Sequence, residues 1–155
     1  MTQPATITLR PPQAPELDAI NHLIMRSKAF WGYDAAFMAA CRTELSLTPT
    51  DIAGDHAMLA VEDHTPLGIA TISVDGAAGE LEKLFVAPEA MGRGVGRHLM
   101  DWARTTAVEK GATALYIDAD PGAEPFYQRM GAMRIGEAPS GSIAGRMLPR
   151  LRLPL

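Results

Sequence analysis

The chain has 155 residues, 47% of them hydrophobic, with a formal net charge of −4 and one cysteine, Cys41. These values suit a single folded domain over residues 1–155 and exclude a disordered chain or an intrachain disulfide scaffold. They also argue against a partner in nucleic acid, which wants a basic face, and no apolar run approaches the ~20 residues of a membrane-spanning helix.

The opening "MTQPATITLRPP" lacks the basic-then-apolar order of a secretory signal, so with its lone cysteine a cytoplasmic protein is the expectation. Within it, residues 6–12 alternate and end on a proline pair, which predicts a first strand. From Pro15 the period turns helical: Leu17, Ile20, Leu23 and Ile24 share one face. "WGYD" (31–34) interrupts, and a second helix is expected over 34–45 with Phe37, Met38, Cys41 and Leu45 inward. The period then becomes two. Residues 56–63, 66–76 and 80–88 read as strands joined by tight polar turns, an antiparallel meander.

Next comes "MGRGVGRHL", with glycines at 92, 94 and 96 and arginines at 93 and 97. Helical spacing follows through Val95, Leu99, Trp102, Ala103 and Ala107, with Gly111 placed to end the helix. A short apolar strand, 114–119, should run parallel to 80–86 through this crossover helix. Asp120 and Pro121 offer a helix start, "GAEPFYQRM" a short helix, and 132–138 and 146–153 two final strands. Pro149 suggests that the last strand is an edge or is bulged. The sum is an α+β fold with a mixed, mostly antiparallel central sheet flanked by helices.

The glycine loop fits neither common phosphate motif. A P-loop needs Gly-Lys-Ser/Thr, whereas Arg97-His98 follow Gly96. A dinucleotide fingerprint needs a third glycine at 97 or 99, positions held by Arg97 and Leu99. What remains is a run of backbone N–H groups opening a helix, with basic side chains nearby: a place for a pyrophosphate without a metal. His22, His56, His64 and His98 are scattered, with no metal-ligand spacing.

This stretch resembles the acyl-CoA loop of the GNAT superfamily of N-acetyltransferases. The family's Gln/Arg-x-x-Gly-x-Gly/Ala is read here as Met91-Gly92-Arg93-Gly94-Val95-Gly96, with Met91 in place of the polar residue. The element order matches along most of the chain. "DPGAEPFYQRMGA" is similar to another family segment, with Asp120 and Ala132 at its usual Asn and Phe places.

The resemblance implies acetyl-CoA as cosubstrate, no metal, and a parallel strand pair that splays to form the acyl-CoA cleft. It places Leu84, Phe85 and Val86 along the pantetheine arm. It places Met91, Gly92, Arg93, Gly94, Val95, Gly96 and Arg97 at the pyrophosphate, and Asp120 at the thioester gap. It assigns Tyr127 as general acid to the CoA thiolate and a glutamate of the preceding strand, Glu80 or Glu82, as general base, with ordered water as the alternative.

A base is needed because an alkylamine with a pKa of about 10.4 is almost wholly protonated at neutral pH. The acceptor, a small-molecule or peptide amine, should be shaped by the first helices and last strands. There Trp31 and Tyr33 are candidates for an aromatic wall, Asp34 for drawing a cation, and Arg146, beside Ser140 and Ser142, for a substrate carboxylate; Phe37 reads as core. The apolar tail "RMLPRLRLPL" is a candidate surface for a homodimer. A non-catalytic acyl-CoA sensor and a transferase for longer acyl groups are the alternatives to the acetyltransferase.

Overall fold

The computed structural model describes residues 6–155. Seven strands form one sheet in the order β1-β2-β3-β4-β5-β7-β6. They are β1 (Thr8–Arg10), β2 (Ala57–Glu62), β3 (Thr65–Asp75), β4 (Ala78–Val86), β5 (Ala114–Asp118), β6 (Met133–Pro139) and β7 (Met147–Pro154). The helices are α1 (Leu17–Ala29), α2 (Ala35–Leu45), α3 (Pro49–Ile52), α4 (Val95–Glu109) and α5 (Glu124–Arg129). All neighbouring strands are antiparallel except β4 and β5, as the crossover through α4 requires. The mixed α+β architecture expected from the sequence is present.

The two long helices form on their apolar stripes. On α1, Ile20, Leu23 and Ile24 are fully or almost fully buried, and on α4 the buried positions are Val95, Leu99, Met100, Ala103 and Ala107. Both helices contact β3 and β4. At Gly68 of β3 an added Cβ would stand 2.8 Å from Val95 and 2.9 Å from Leu99, so the missing side chain is what lets α4 sit down on the sheet. The short α3 has its own start signal, Pro49 at the first position and a reciprocal cap between Thr48 and Asp51.

The core has two parts. One gathers α1, β2, β3 and the start of α4 around Ile20, Leu59, Ile69 and Leu99. The other gathers the rest of α4 with β5, α5 and β7 around Met100, Leu115, Ile117 and Leu151. Leu84 and Trp102 pack against both. The division follows the sheet, because β4 and β5 pair only from Ala78↔Ala114 to Glu80↔Tyr116 and then part.

Three expectations need correction. On α2 Cys41 is buried and Leu45 packs against the first core cluster, but Phe37 joins neither cluster and stacks on Tyr33, ring centroids 3.9 Å apart. The first strand is shorter than 6–12. β7 is neither an edge nor bulged at Pro149, since it lies between β5 and β6, and the extra residue there is Ile135 of β6. The proline is tolerated for a local reason. Its carbonyl accepts from Ala119 N–H at 2.9 Å, so its nitrogen faces the same way, just past the last β5 pair, Asp118↔Arg150, and what the proline forfeits is a single return bond at the end of that ladder.

Candidate active site

Where β4 and β5 diverge, a cavity of about 640 Å³ opens, running from the glycine loop to the β6–β7 loop. Beyond Glu80, the edge of β4 that faces β5 has no strand partner. Leu84, Phe85 and Val86 line the cavity from that edge. Their backbone groups there can pair with an extended chain laid in the gap.

At one end of the gap lies the loop before α4. Gly92 and Gly94 have φ of 80° and 83°, left-handed values that a side chain would strain. Gly96 is different: it is helical, and a Cβ there would meet Phe126 of α5 at 3.2 Å. Gly94 caps α4 with no side-chain acceptor for the first-turn amides. The N–H groups of Val95, Gly96 and Arg97 have no acceptor among the described residues, at the positive end of a four-turn helix. That is an anion-binding geometry. Met91, Gly92, Gly94, Val95, Gly96 and Arg97 all line the cavity. Arg93 does not. Its guanidinium pairs with Glu62 at the end of β2, which holds it away from the gap.

The two glutamates of β4 are separated by a bulge. Thr71 pairs with Lys83 but Ile72 pairs with Leu81, so Glu82 is the extra residue. Thr71 and Ile72 face opposite ways, hence so do Lys83 and Leu81, and the shared parity of Glu80 with Leu84 is broken. Glu82 lines the cavity and accepts from the Ser73 hydroxyl at 2.6 Å. Glu80 lies outside the lining. Arg150 grips its carboxylate at 2.6 Å and reaches Asp118 at 2.8 Å, stacked 5.0 Å over the Tyr116 ring. Arg150 thus ties β4 to β5 at the last place where they pair.

Tyr127 lies in the second core cluster, 6% exposed, and lines the cavity. Burial, with the nearby Asp120 charge, pushes its phenol well above the ordinary tyrosine value. Its hydroxyl therefore stays protonated and offers a donor.

Opposite the strands, Asp120 organises a charged cluster. Its Oδ1 accepts from Gly122 N–H at 3.0 Å and starts the turn into α5, the helix start expected from the sequence. Its Oδ2 accepts from Lys28 Nζ and from the Tyr33 hydroxyl, each at 2.7 Å. Burial opposes ionisation of Asp120, but these donors and the Lys28 charge outweigh it and hold its carboxyl below the usual value. Arg146 donates to the Tyr33 hydroxyl at 2.7 Å and stands 3.8 Å from Asp120. Burial first and then Asp120 push the Tyr33 phenol up to about 12.

Lys28, Trp31, Asp120 and Arg146 line the cavity; Tyr33 stands behind them. Trp31 lies over Gly122, where a Cβ would meet its ring at 2.6 Å. Asp34 takes no part, because its side chain caps α2 through Phe37 N–H at 2.8 Å. Sequence reasoning missed Lys28. Its signal was present: Ile20, Ile24 and Lys28 are spaced i, i+4, i+8 along the buried face of α1.

The sequence pattern of the acetyltransferase (GNAT) family matches residues 19–132, a span that holds β4, the glycine loop, α4, β5 and Tyr127. The chain belongs to the GNAT acetyltransferase family. Solved GNAT structures share its fold over nearly its whole length. An N-acetyltransferase from Rhodopseudomonas palustris superposes with a TM-score of 0.81 at 21% identity, covering 100% of this chain and 99% of the other. The PaiA N-acetyltransferase of Thermoplasma acidophilum, solved with coenzyme A, gives 0.76 at 16% identity, over 97% and 99%. The ribosomal-protein-S18-alanine N-acetyltransferase of Escherichia coli gives 0.68 at 17% identity, over 96% and 94%. In this GNAT chain no group of three or more His, Cys, Asp or Glu could hold a metal among the described residues, and no helix there is long and apolar enough to cross a membrane.

Proposed function

We propose that this chain transfers the acetyl group of acetyl-CoA to a primary amine. The observation that carries the reading is the fork of β4 from β5 after Glu80 and Tyr116, with the glycine loop at one end and a second, charged end opposite. In this reading the unpaired edge at Leu84–Val86 takes the pantetheine arm as an added strand. The amides of Val95, Gly96 and Arg97 take the pyrophosphate, and the Arg97 side chain adds charge there. Arg93 serves the loop through its Glu62 pair rather than by touching the ligand. A cosubstrate of this kind that is also bound in a fold neighbour, the Thermoplasma enzyme solved with coenzyme A, suits the donor set of the gap.

Glu82 is the base, acting directly or through a water. It is on the cavity wall, whereas the Glu80 carboxylate is held by Arg150. The amine nitrogen, once Glu82 has received its proton, attacks the thioester carbonyl. The C–S bond then breaks and the nitrogen, cationic after the attack, gives its second proton to water, leaving an amide and a CoA thiolate. Tyr127 hydrogen-bonds the developing thiolate. A phenol of pKa about 10 giving a proton to a thiolate of about 8.5 already runs uphill by roughly 2 kcal/mol. The raised value at Tyr127 makes it a donor that stabilises the leaving sulfur more than one that hands over its proton outright.

The test is a thiol-release assay with acetyl-CoA and a panel of primary amines. Amine-dependent release that falls in Tyr127→Phe and Glu82→Gln supports the reading. Tight CoA binding with no release for any amine points instead to a sensor.

A further inference from the structure

At the acceptor end of the cavity two cations share one carboxylate. Lys28 and Arg146 are both cationic, and Tyr33 remains a neutral phenol between them. Among the described residues their only carboxylate neighbour within 4 Å is Asp120. Both Asp120 oxygens are already engaged, by Gly122 N–H on one side and by Lys28 and Tyr33 on the other. Lys28 uses one of its three N–H donors and Arg146 one of its five. Yet the two side chains are only 11% and 19% exposed, and both line the cavity.

The cluster is built to stay put. Tyr33 and Phe37 stack behind it, with the Arg146 guanidinium 5.0 and 4.8 Å from their ring centres, which fixes the plane of its fork. The β6–β7 loop that carries Arg146 is folded on itself: Ser140 N–H donates to Arg146 O at 2.8 Å, and Ser140 Oγ accepts from Ser142 and Ile143 N–H. Glu44 of α2 pins the loop through the Ser142 hydroxyl. Of the other carboxylates on the cavity wall, Asp118 is held by Arg150, while Glu44 and Glu82 each bond a serine hydroxyl, Glu44 on α2 beside the β6–β7 loop and Glu82 on the strand side.

Given the acetyltransferase reading of this cavity, on which the inference rests, we propose that the acceptor is a primary amine that also carries a carboxylate. Arg146 and Lys28 hold the carboxylate with their remaining donors while the amine is presented to Glu82. The charges of such a zwitterion match the cavity, with the paired cations Lys28 and Arg146 on one side and the acid Glu82 on the strand. A bare alkylamine would leave the donors of Lys28 and Arg146 facing it without an acceptor.

The experiment titrates the CoA-saturated protein with matched probes by calorimetry: glycine against methylamine, β-alanine against ethylamine, 4-aminobutyrate against propylamine, and 2-aminoethylphosphonate. At least one amino carboxylate should bind about tenfold or more tighter than its matched amine. Arg146→Gln should bring that ratio toward one, and Arg146→Lys should keep part of it. The CoA affinity of each variant checks its fold. Equal or absent binding across the carboxylate pairs, a preference that survives both Arg146→Gln and Lys28→Met, or tighter binding of the phosphonate overturns the proposal. Failure of the unaltered protein to bind acetyl-CoA overturns the underlying functional reading instead.

Discussion

Lys28 Nζ lies 2.7 Å from Asp120 Oδ2, a contact that joins the last turn of α1 to the residue where β5 gives way to the α5 turn. Both side chains are nearly out of solvent, and Asp120 also caps that turn. Asp120→Ala removes the acid from a largely buried cluster and leaves Lys28 and Arg146 facing each other. It should cost about 2–4 kcal/mol of stability, read by urea unfolding. A loss below about 0.5 kcal/mol contradicts this account of the cluster.

The same carboxylate gives the stability a pH dependence with a fixed sign. Its folded pKa is lowered, so its contribution is fully present above the unfolded value of about 3.9. It is lost as pH falls through the lower folded value. Thermal midpoints measured from pH 6 down to pH 2 should fall less steeply for Asp120→Asn than for the unaltered chain. Parallel curves for the two proteins count against the assignment.

The β4 bulge separates two glutamates that look equivalent in the sequence. Glu82→Gln should lower kcat by about a hundredfold to ten-thousandfold. Glu80→Gln, whose side chain meets Arg150 and not the cavity, should keep kcat within about tenfold. Reversed magnitudes assign the base to Glu80, and two small effects assign it to water.

Tyr127→Phe removes one hydroxyl from a buried wall. If that hydroxyl acts only as the sulfur leaves, kcat falls about tenfold or more while the Kd for CoA stays within about threefold. A matched loss of affinity and turnover would make it a ground-state contact.

At the loop, Gly94 has a φ of 83° and nothing closer than 4.0 Å to an added Cβ. Gly94→Ala is therefore a strain test without a clash. It should cost about 1–2 kcal/mol, lowering the thermal midpoint by about 2–8 °C, and should weaken CoA binding by tilting the amides of Val95 and Gly96. Gly96→Ala acts differently, by pressing on Phe126. An unchanged CoA affinity in Gly94→Ala means that the amide fan does not hold the ligand.

Legibility in the sequence followed the range of the interactions. Periodicity located the meander and α4, and the local start signals at Asp120 and Gly94 marked where helices begin, because those features depend on neighbours a few residues away. The start of α3 was readable by the same logic in Thr48-Pro49-Thr50-Asp51 and went unread. The Glu80–Glu82 ambiguity could not be resolved without the register of β3, which fixes the bulge. The acceptor cluster was harder still. Lys28 meets Asp120 across 92 residues and Arg146 meets Tyr33 across 113, so only the fold brings them together. Asp34, one residue from Tyr33, looked like a ligand and is a helix cap; an Asp before an apolar helix carries both meanings.

The most direct test of the central claim is calorimetric titration of the purified protein with acetyl-CoA, CoA and free pantetheine. If the β4–β5 fork and the Gly92–Arg97 loop together hold the cosubstrate, acetyl-CoA and CoA bind in the micromolar range. Pantetheine, which lacks the pyrophosphate, then binds at least about tenfold more weakly. Equal affinities for pantetheine and CoA, or no binding by any of the three, would contradict it.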